Sequence, residues 1–540
     1  MTDLLPRPRV VHSEQGSYEL ALTPPVSGPA DLVDAVRLAL AVLDPRPGEA
    51  GTIDVSLAVE LGPEAYTLTV DANGVRIEAG DRSGAFYAAQ TLRQLLPAAA
   101  YRTSPLPGVR WTVPHVRIED APRFRWRGVH LDVSRHFQPK REVLRMIDNM
   151  AAHKLNRLHL HLVDDQGWRI ESRAYPLLHE VGSHRPRTAS SHYGEELTYD
   201  EVPHGGYYTL ADLAEIGAYA RARGVVVVPE IDVPGHASAI LAAYPAFGAK
   251  AGDYAVLGRW GISPAILSPL PATIDFLITI FDELLEALGP TPYVHIGGDE
   301  CVLDDWVASE EIMAFGRTLG LESAGDLHAW FLRRLADALA ERGSRAVVWD
   351  EAFVSGMLRD DTVVMPWRGT GVARRVAAAG HEVVQTPVFP TYFDYIEAGS
   401  EAEPLGIGET ITVDDVVAYE PAPEDWSEEE LGRIAGTQFQ LWSERIPDAR
   451  TLDYRAWPRG AALAEIAWSG RQPDFRERLV GHLARLDAMG VEYRPLAGPH
   501  PWQRGGAGRR RHRPGVIDIQ DVMARLEKMT LDADSTRPSM

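Results

Sequence analysis

One cysteine, Cys301, stands among 540 residues. That excludes an intramolecular disulfide and any site built from several thiolates, such as a Cys-rich zinc or iron–sulfur centre. Long hydrophobic runs are missing as well: nowhere do the roughly 18 uninterrupted apolar residues of a membrane-spanning helix occur. Basic residues are in deficit, with Lys and Arg at 54 and Asp and Glu at 76, a formal charge of −22 with His neutral. So acidic a surface repels phosphate backbones and anionic headgroups, so neither nucleic acid nor a membrane is expected as a partner. The start, Met1-Thr2-Asp3-Leu4-Leu5-Pro6-Arg7, has no apolar segment behind a basic one. No secretory signal is read there, and a cytoplasmic location is the expectation.

What is present is an ordinary globular composition, 45% hydrophobic and 24% charged. The length exceeds what one core holds, so two or more domains are expected. In the first 120 residues, Val55–Leu61, Ala65–Val70 and Val75–Ala79 read as strands, with Asn73-Gly74 marking a hairpin turn. Ala85–Leu96 has helical spacing, and a Pro-punctuated stretch from Pro105 to Pro122 closes a small α+β domain over 1–120. From about Arg123 the chain alternates short apolar strands with amphipathic helices. The candidate strands are Gly128–Val133, Arg157–Val163, Val225–Ile231, Tyr293–Ile296, Ala346–Trp349, Thr362–Met365, Glu382–Gln385 and Thr437–Leu441. Arg141–Lys154, Thr209–Arg223 and Leu327–Arg342 read as helices between them, the second opening on a Thr-x-x-Asp capping signal. Eight strand–helix units over 121–494 predict an α/β fold of the (β/α)8 TIM-barrel type, with an open doubly wound sheet as the alternative. Over 495–540, a Gly/Arg linker that includes Arg509–Arg511 leads to a predicted helix at Val516–Met529.

Charged and aromatic residues gather where these strands end, the face on which a barrel assembles its site. His295-Ile296-Gly297-Gly298-Asp299-Glu300 follows the fourth strand. Two glycines let the backbone bend and aim both carboxylates inward, and two carboxylates so close cannot both ionise freely, so one becomes an acid near neutral pH. Taken alone, the pair reads equally well as a helix cap or a solvated loop. Leu131-Asp132-Val133-Ser134-Arg135-His136, the His159-to-Asp165 run and Pro229-to-His236 end the first three strands. The later ends are aromatic: Trp349-Asp350-Glu351, Trp367-Arg368, Tyr392-Phe393-Asp394 and Trp442-Ser443-Glu444. Aromatic walls cover the apolar faces of a sugar, while carboxylates and an Arg fork grip its hydroxyls.

Residues 123 to about 470 resemble glycoside hydrolase family 20, the β-N-acetylhexosaminidases. The resemblance is carried by Arg127–His136, the His-Leu-Val-Asp-Asp run at 161–165, Pro234-Gly235-His236, His-Ile-Gly-Gly-Asp-Glu at 295–300, Val-Trp-Asp-Glu at 348–351 and Leu-Trp-Ser-Glu at 441–444. The segment from Gly80 to Leu92 is similar to the α+β domain that precedes the family's barrel. The resemblance implies hydrolysis with retention in which the substrate's own 2-acetamido oxygen attacks the anomeric carbon and forms an oxazolinium ion. It gives Glu300 the acid–base role and makes Asp299 the partner of the acetamido N–H. Trp349, Trp367, Trp442 and Tyr392 would surround the acetamide and the sugar face. Arg135, Asp394 and Glu444 would read the hydroxyls, with Asp164 and His236 behind Glu300 and His161 either beside them or packed structurally. The implied substrate is an N-acetylhexosamine-containing glycan or chito-oligosaccharide, with no cofactor or metal required; transglycosylation and disaccharide release belong to the same family pattern.

Two departures bear on leaving-group preference. The loop from Ile396 to Tyr419 lacks the tryptophan many family members carry there, Trp426 being the next, and Thr437-Gln438-Phe439-Gln440 replaces a Gly-Gly-containing version. Two rival readings stay open on the residues alone. A metal-dependent barrel hydrolase would need His159 and His161 both facing the mouth beside His236 and Asp299, and would leave the tryptophans without a task. A sugar-binding protein without turnover would have no need of the Asp299–Glu300 pair.

Overall fold

The computed structural model describes residues 3–20, 25–40, 52–104, 106–191, 196–400 and 402–504. The predicted helix at Val516–Met529 and the Arg509–Arg511 run lie outside them.

The N-terminal domain is a six-stranded mixed sheet whose core includes Leu68, Ile77, Phe86, Leu92 and Ile118. Strands Tyr66–Asp71 and Gly74–Ala79 form the expected hairpin, with Ala72 and Asn73 in the loop and Gly74 already paired with Asp71. Helix Arg82–Leu95 is capped by Asp81, whose side chain accepts the Gly84 amide at 2.7 Å. Besides the short strand Val26–Ser27 and the 3-10 turn Ala98–Tyr101, three longer elements are additional to those read from the sequence. Val10–Glu19 is an exposed, polar edge strand with no apolar face to betray it, and helix Ala30–Leu40 packs on Arg82–Leu95. The third corrects the reading of Pro105–Pro122 as a terminating stretch. Thr112–Asp120 is an interior strand, and its Pro114 is tolerated because it sits opposite Ser17, at an irregular point of the edge pairing. Val59–Leu61, expected as the end of a strand, is a short 3-10 turn.

All eight predicted barrel strands form. Trp126–Asp132, Arg157–His161, Val226–Glu230, Tyr293–His295, Arg345–Trp349, Val363–Met365, Glu382–Gln385 and Ile434–Leu441 close into a parallel barrel in that order, which removes the open-sheet alternative. Thr209 and Asp212 make the predicted capping box at the head of helix Leu210–Ala222. Outward side chains such as Val129, Leu131, Leu158 and Leu160 join the large core under the helices. Because strand side chains alternate, the intervening positions fill the lumen. Its lower part is apolar, with Trp126, Val228, Val347, Val363 and Val384. One step nearer the mouth the lumen turns polar: the register sets His130 beside His159, and Glu230 beside both His161 and His295. Among the described residues no helix is long and apolar enough to cross a membrane.

Candidate active site

The fourth strand leaves the barrel through an unusual backbone. Gly297 and Gly298 have φ of 65° and 98°, and Glu300 has φ of 51°. A Cβ on Gly297 would lie 1.6 Å from Asp232 Oδ1, so only glycine fits at that bend. A left-handed glutamate and a left-handed His236 (φ 47°) are sparsely populated conformations that persist because the surroundings enforce them. The bend brings the two carboxylates under one imidazole: His236 Nε2 lies 3.7 Å from Asp299 Oδ2 and 3.6 Å from Glu300 Oε2.

Behind His236 stands a buried relay. Its Nδ1 donates to Asp164 Oδ1 at 3.2 Å, and Asp164 Oδ2 is met by His161 Nε2 at 3.0 Å and by an Arg135 guanidinium nitrogen at 2.5 Å. Burial would raise Asp164, yet Arg135, His236 and His161 outweigh it and hold the carboxyl well below its ordinary range. Burial would likewise lower His236, but Asp164 and Asp232 keep it charged, well above an ordinary imidazole. Asp299 goes the other way: burial first, then the neighbouring carboxylate Asp232, push it well above the usual carboxylate range. Of the predicted pair, the aspartate is the more enclosed, its side chain 13% exposed against 33% for Glu300.

Facing the pair is the aromatic wall. The rings of Trp349 and Trp442 are 5.9 Å apart and those of Tyr392 and Trp442 6.2 Å apart, while the Trp367 indole donates to Glu351 at 3.0 Å. Arg135 lies 4.9 Å over the Trp442 ring, which joins the wall to the polar side of the site. Asp394 and Glu444 lie close enough to repel. Burial and that mutual charge raise Asp394 well above its ordinary range, and Asp394 Oδ1 and Glu444 Oε2 are buried without partners. Of the site residues named from the sequence, Asp299, Glu300, Arg135, Trp349, Trp367, Tyr392, Asp394, Trp442, Glu444, Asp164 and His236 lie at the strand ends that form this mouth, and His161 sits behind them with its Nδ1 turned into the lumen. Trp426 does not lie there: it is packed into the main hydrophobic core and lines no part of the site.

The metal-hydrolase arrangement does not assemble. His159 Nε2 and His161 Nδ1 both turn to Glu230 inside the lumen, the first at 2.9 Å, and so do not face the mouth beside His236 and Asp299. Glu230 is the residue that sequence reasoning passed over. The eighth-strand departure also acquires a structural task, since the Gln438 amide donates to His159 Nδ1 at 3.1 Å while its carbonyl accepts the Trp126 indole at 3.3 Å.

Comparison with known proteins agrees with this geometry. The model of the glycosyl hydrolase family 20 catalytic domain matches residues 124–471, and that of the family's domain 2 matches residues 1–121. A β-hexosaminidase of Porphyromonas gingivalis is 35% identical over 91% of this chain, which spans 62% of that protein's length. A β-hexosaminidase of Vibrio furnissii is 33% identical, covering 85% of this chain and 76% of its own. Among solved structures, an exo-β-N-acetylglucosaminidase from Vibrio harveyi in complex with N-acetylglucosamine superposes with a TM-score of 0.81 at 32% identity, over 92% of this chain and 78% of that one. A mutant Streptomyces plicatus β-hexosaminidase in complex with product GlcNAc gives 0.76 at 30% identity, over 92% and 97%. With a barrel, a preceding domain and a carboxylate pair all in agreement, the chain belongs to glycosyl hydrolase family 20 and is a glycoside hydrolase.

Proposed function

We propose that this enzyme is an exo-acting β-N-acetylhexosaminidase that removes a terminal, non-reducing N-acetylhexosamine by substrate-assisted hydrolysis. The observation that carries the reading is the Asp299–Glu300 pair, held under one charged imidazole and facing an aromatic wall, with no third carboxylate needed as nucleophile. The acetamido oxygen attacks the anomeric carbon of its own sugar, the glycosidic C–O bond breaks, and Glu300 gives its proton to the leaving oxygen. Attack within one molecule avoids the entropic cost of placing a separate nucleophile. Asp299 accepts the acetamido N–H and stabilises the positive charge of the oxazolinium. Glu300, now a base, draws a proton from water as it adds to the anomeric carbon and opens the ring. Trp349, Trp367 and Trp442 enclose the acetamide and sugar face, Tyr392 donates to the acetamido oxygen, and Arg135, Asp394 and Glu444 bind hydroxyls. Asp394 and Glu444 have free buried oxygens for that purpose.

The direct test compares two nitrophenyl β-glycosides, one with a 2-acetamido group and one with a 2-hydroxyl, with and without a chelator. Release from the acetamido sugar alone, unchanged by the chelator, is the expected result. Equal release from both would refute substrate assistance.

A further inference from the structure

Glu230 lies at the end of the third barrel strand, fully buried in the lumen behind the Trp349 indole. A buried carboxylate is costly unless its oxygens are met by donors, and this one is surrounded by them. His159 Nε2 donates to Oε2 at 2.9 Å and the Trp349 indole to Oε1 at 3.0 Å, which fixes the carboxylate plane; His295 Nδ1 lies 2.8 Å from Oε1. The remaining contact is His161 Nδ1 on Oε2.

His161 spends its other nitrogen on Asp164 Oδ2, so both ring nitrogens face carboxylates. An imidazole can donate from both only as a cation. Burial opposes that form, and the negative charge at Glu230 is the largest of the influences that favour it, ahead of Asp164 and Asp132. The groups around this pair are few. His161 faces Asp132 and His130 from the first strand, and Glu230 faces His159 and His295 from the second and fourth strands and Asp232 at the end of its own. His159 is held neutral by burial, at about 4, and has its Nδ1 occupied by Gln438, so it cannot replace His161 as the charged partner.

We propose that Glu230 and His161 are positioning residues that set Glu300 from inside the barrel, through the chain Glu230–His161–Asp164–His236. The proposal rests on Glu300 being the acid of the reaction above. Each link has one geometry: the doubly donating His161 fixes Asp164, Asp164 fixes the His236 ring, and the His236 Nε2 edge sits 3.6 Å from the Glu300 carboxylate. Without the Glu230 charge His161 becomes neutral and keeps one donor, so Asp164 loses either a hydrogen bond or a cation and His236 is no longer held.

The test is a double-mutant cycle on Glu230→Gln and His161→Gln, read with an alkyl β-N-acetylglucosaminide and a dinitrophenyl one. Each single change is expected to lower kcat on the alkyl substrate about 10- to 100-fold, a part of the 10²–10⁴ that general acid catalysis supplies, and to change KM and the dinitrophenyl rate by about threefold or less. The basic limb of the kcat profile should move in both variants. The double variant should lose no more than the worse single one, because both act through one chain. Multiplied losses, equal losses on the two substrates, or an unmoved pH limb would overturn the proposal. If Glu230→Gln does not fold, His161→Gln decides by its substrate split and pH limb. Wild-type enzyme that cleaves neither glycoside would instead refute the function proposed above, whereas active wild type with unaffected variants would refute only this inference.

Discussion

Where the N-terminal domain docks under the barrel, Asp120 accepts the Trp468 indole at 2.9 Å, Tyr66 Oη at 2.7 Å and Lys154 Nζ at 2.8 Å, and Glu64 accepts two Arg127 nitrogens at 2.9 and 2.8 Å. At the opposite end of the same barrel, Asp299, Asp394 and Glu444 each keep a buried oxygen with no partner. The residue types are the same and the depths comparable, yet one set is fully satisfied and the other is left wanting. Burial of unsatisfied polar groups costs stability. The lower seam closes its charges on one another, and at the mouth the fold leaves them open, where the proposed substrate would bring hydroxyls and an amide.

Removing one group at each end separates the two roles. Glu300→Gln should lower turnover of an alkyl glycoside about 10²- to 10⁴-fold, the usual worth of a general acid, with a much smaller loss on a dinitrophenyl glycoside. Its unfolding midpoint in urea should barely move, since the side chain is one-third exposed and its nearest imidazole nitrogen, at 3.6 Å, makes no hydrogen bond to it. Lys154→Met should do the reverse. It strips the ammonium from a pair with no solvent exposure on either partner, and a broken buried pair costs about 3–5 kcal/mol. Urea titration reads that loss, while kcat of the folded fraction stays at the wild-type value. A Lys154→Met protein as stable as wild type would show that the seam is not where the stability lies.

A smaller effect sharpens the contrast through pH. Burial and Asp232 hold Asp299 well above the ordinary carboxylate range, so it carries a proton at pH values where an exposed aspartate would not. The proposed chemistry needs it ionised, and the acetamido N–H and the growing positive charge favour that form once substrate is bound. The acid limb of kcat/KM, which reports free enzyme, should therefore lie at higher pH than the acid limb of kcat. Coincident acid limbs would mean that substrate does not change the titration of Asp299.

The same contrast between ends explains what could be read without a structure. The eight strands were legible because buried parallel strands are short apolar runs cut by Gly and helix caps, as Val225–Ile231 shows. The mouth was legible because Asp299, Glu300 and the tryptophans sit directly after those runs. Val10–Glu19 and Thr112–Asp120 were not, since an exposed edge strand has no apolar face and an interior strand can carry Pro114 only where its neighbour is irregular. Glu230 was hidden for another reason: one acid in an apolar strand does not announce whether it faces the helices or the lumen. The alternation that places His159 and His161 on one face also places Val228 and Glu230 on one, and the register sets the two faces together. Asp299 is raised because it is deep, its side chain 13% exposed, and adjacency in sequence carries no depth.

The smallest expected effect concerns Asp394. Its folded-state pKa is raised by burial and by Glu444, so the folded protein binds a proton there more tightly than the unfolded chain does. Stability then falls as pH rises from the ordinary carboxylate value, 3.8, toward the folded value, so at neutral pH the side chain is a net cost. Asp394→Asn removes the charge at nearly constant volume. Its unfolding free energy should match or exceed wild type by up to about 1 kcal/mol at pH 7, because the orphaned amide takes back part of the gain. The gain should vanish at a pH below 3.8, where the aspartate is protonated in both states. Activity should fall in the same variant, chiefly as a higher KM, since a neutral amide replaces the carboxylate that accepts a sugar hydroxyl. A variant that loses stability at neutral pH would place Asp394 with the satisfied charges of the lower seam, and the division between the two ends of the barrel would no longer hold.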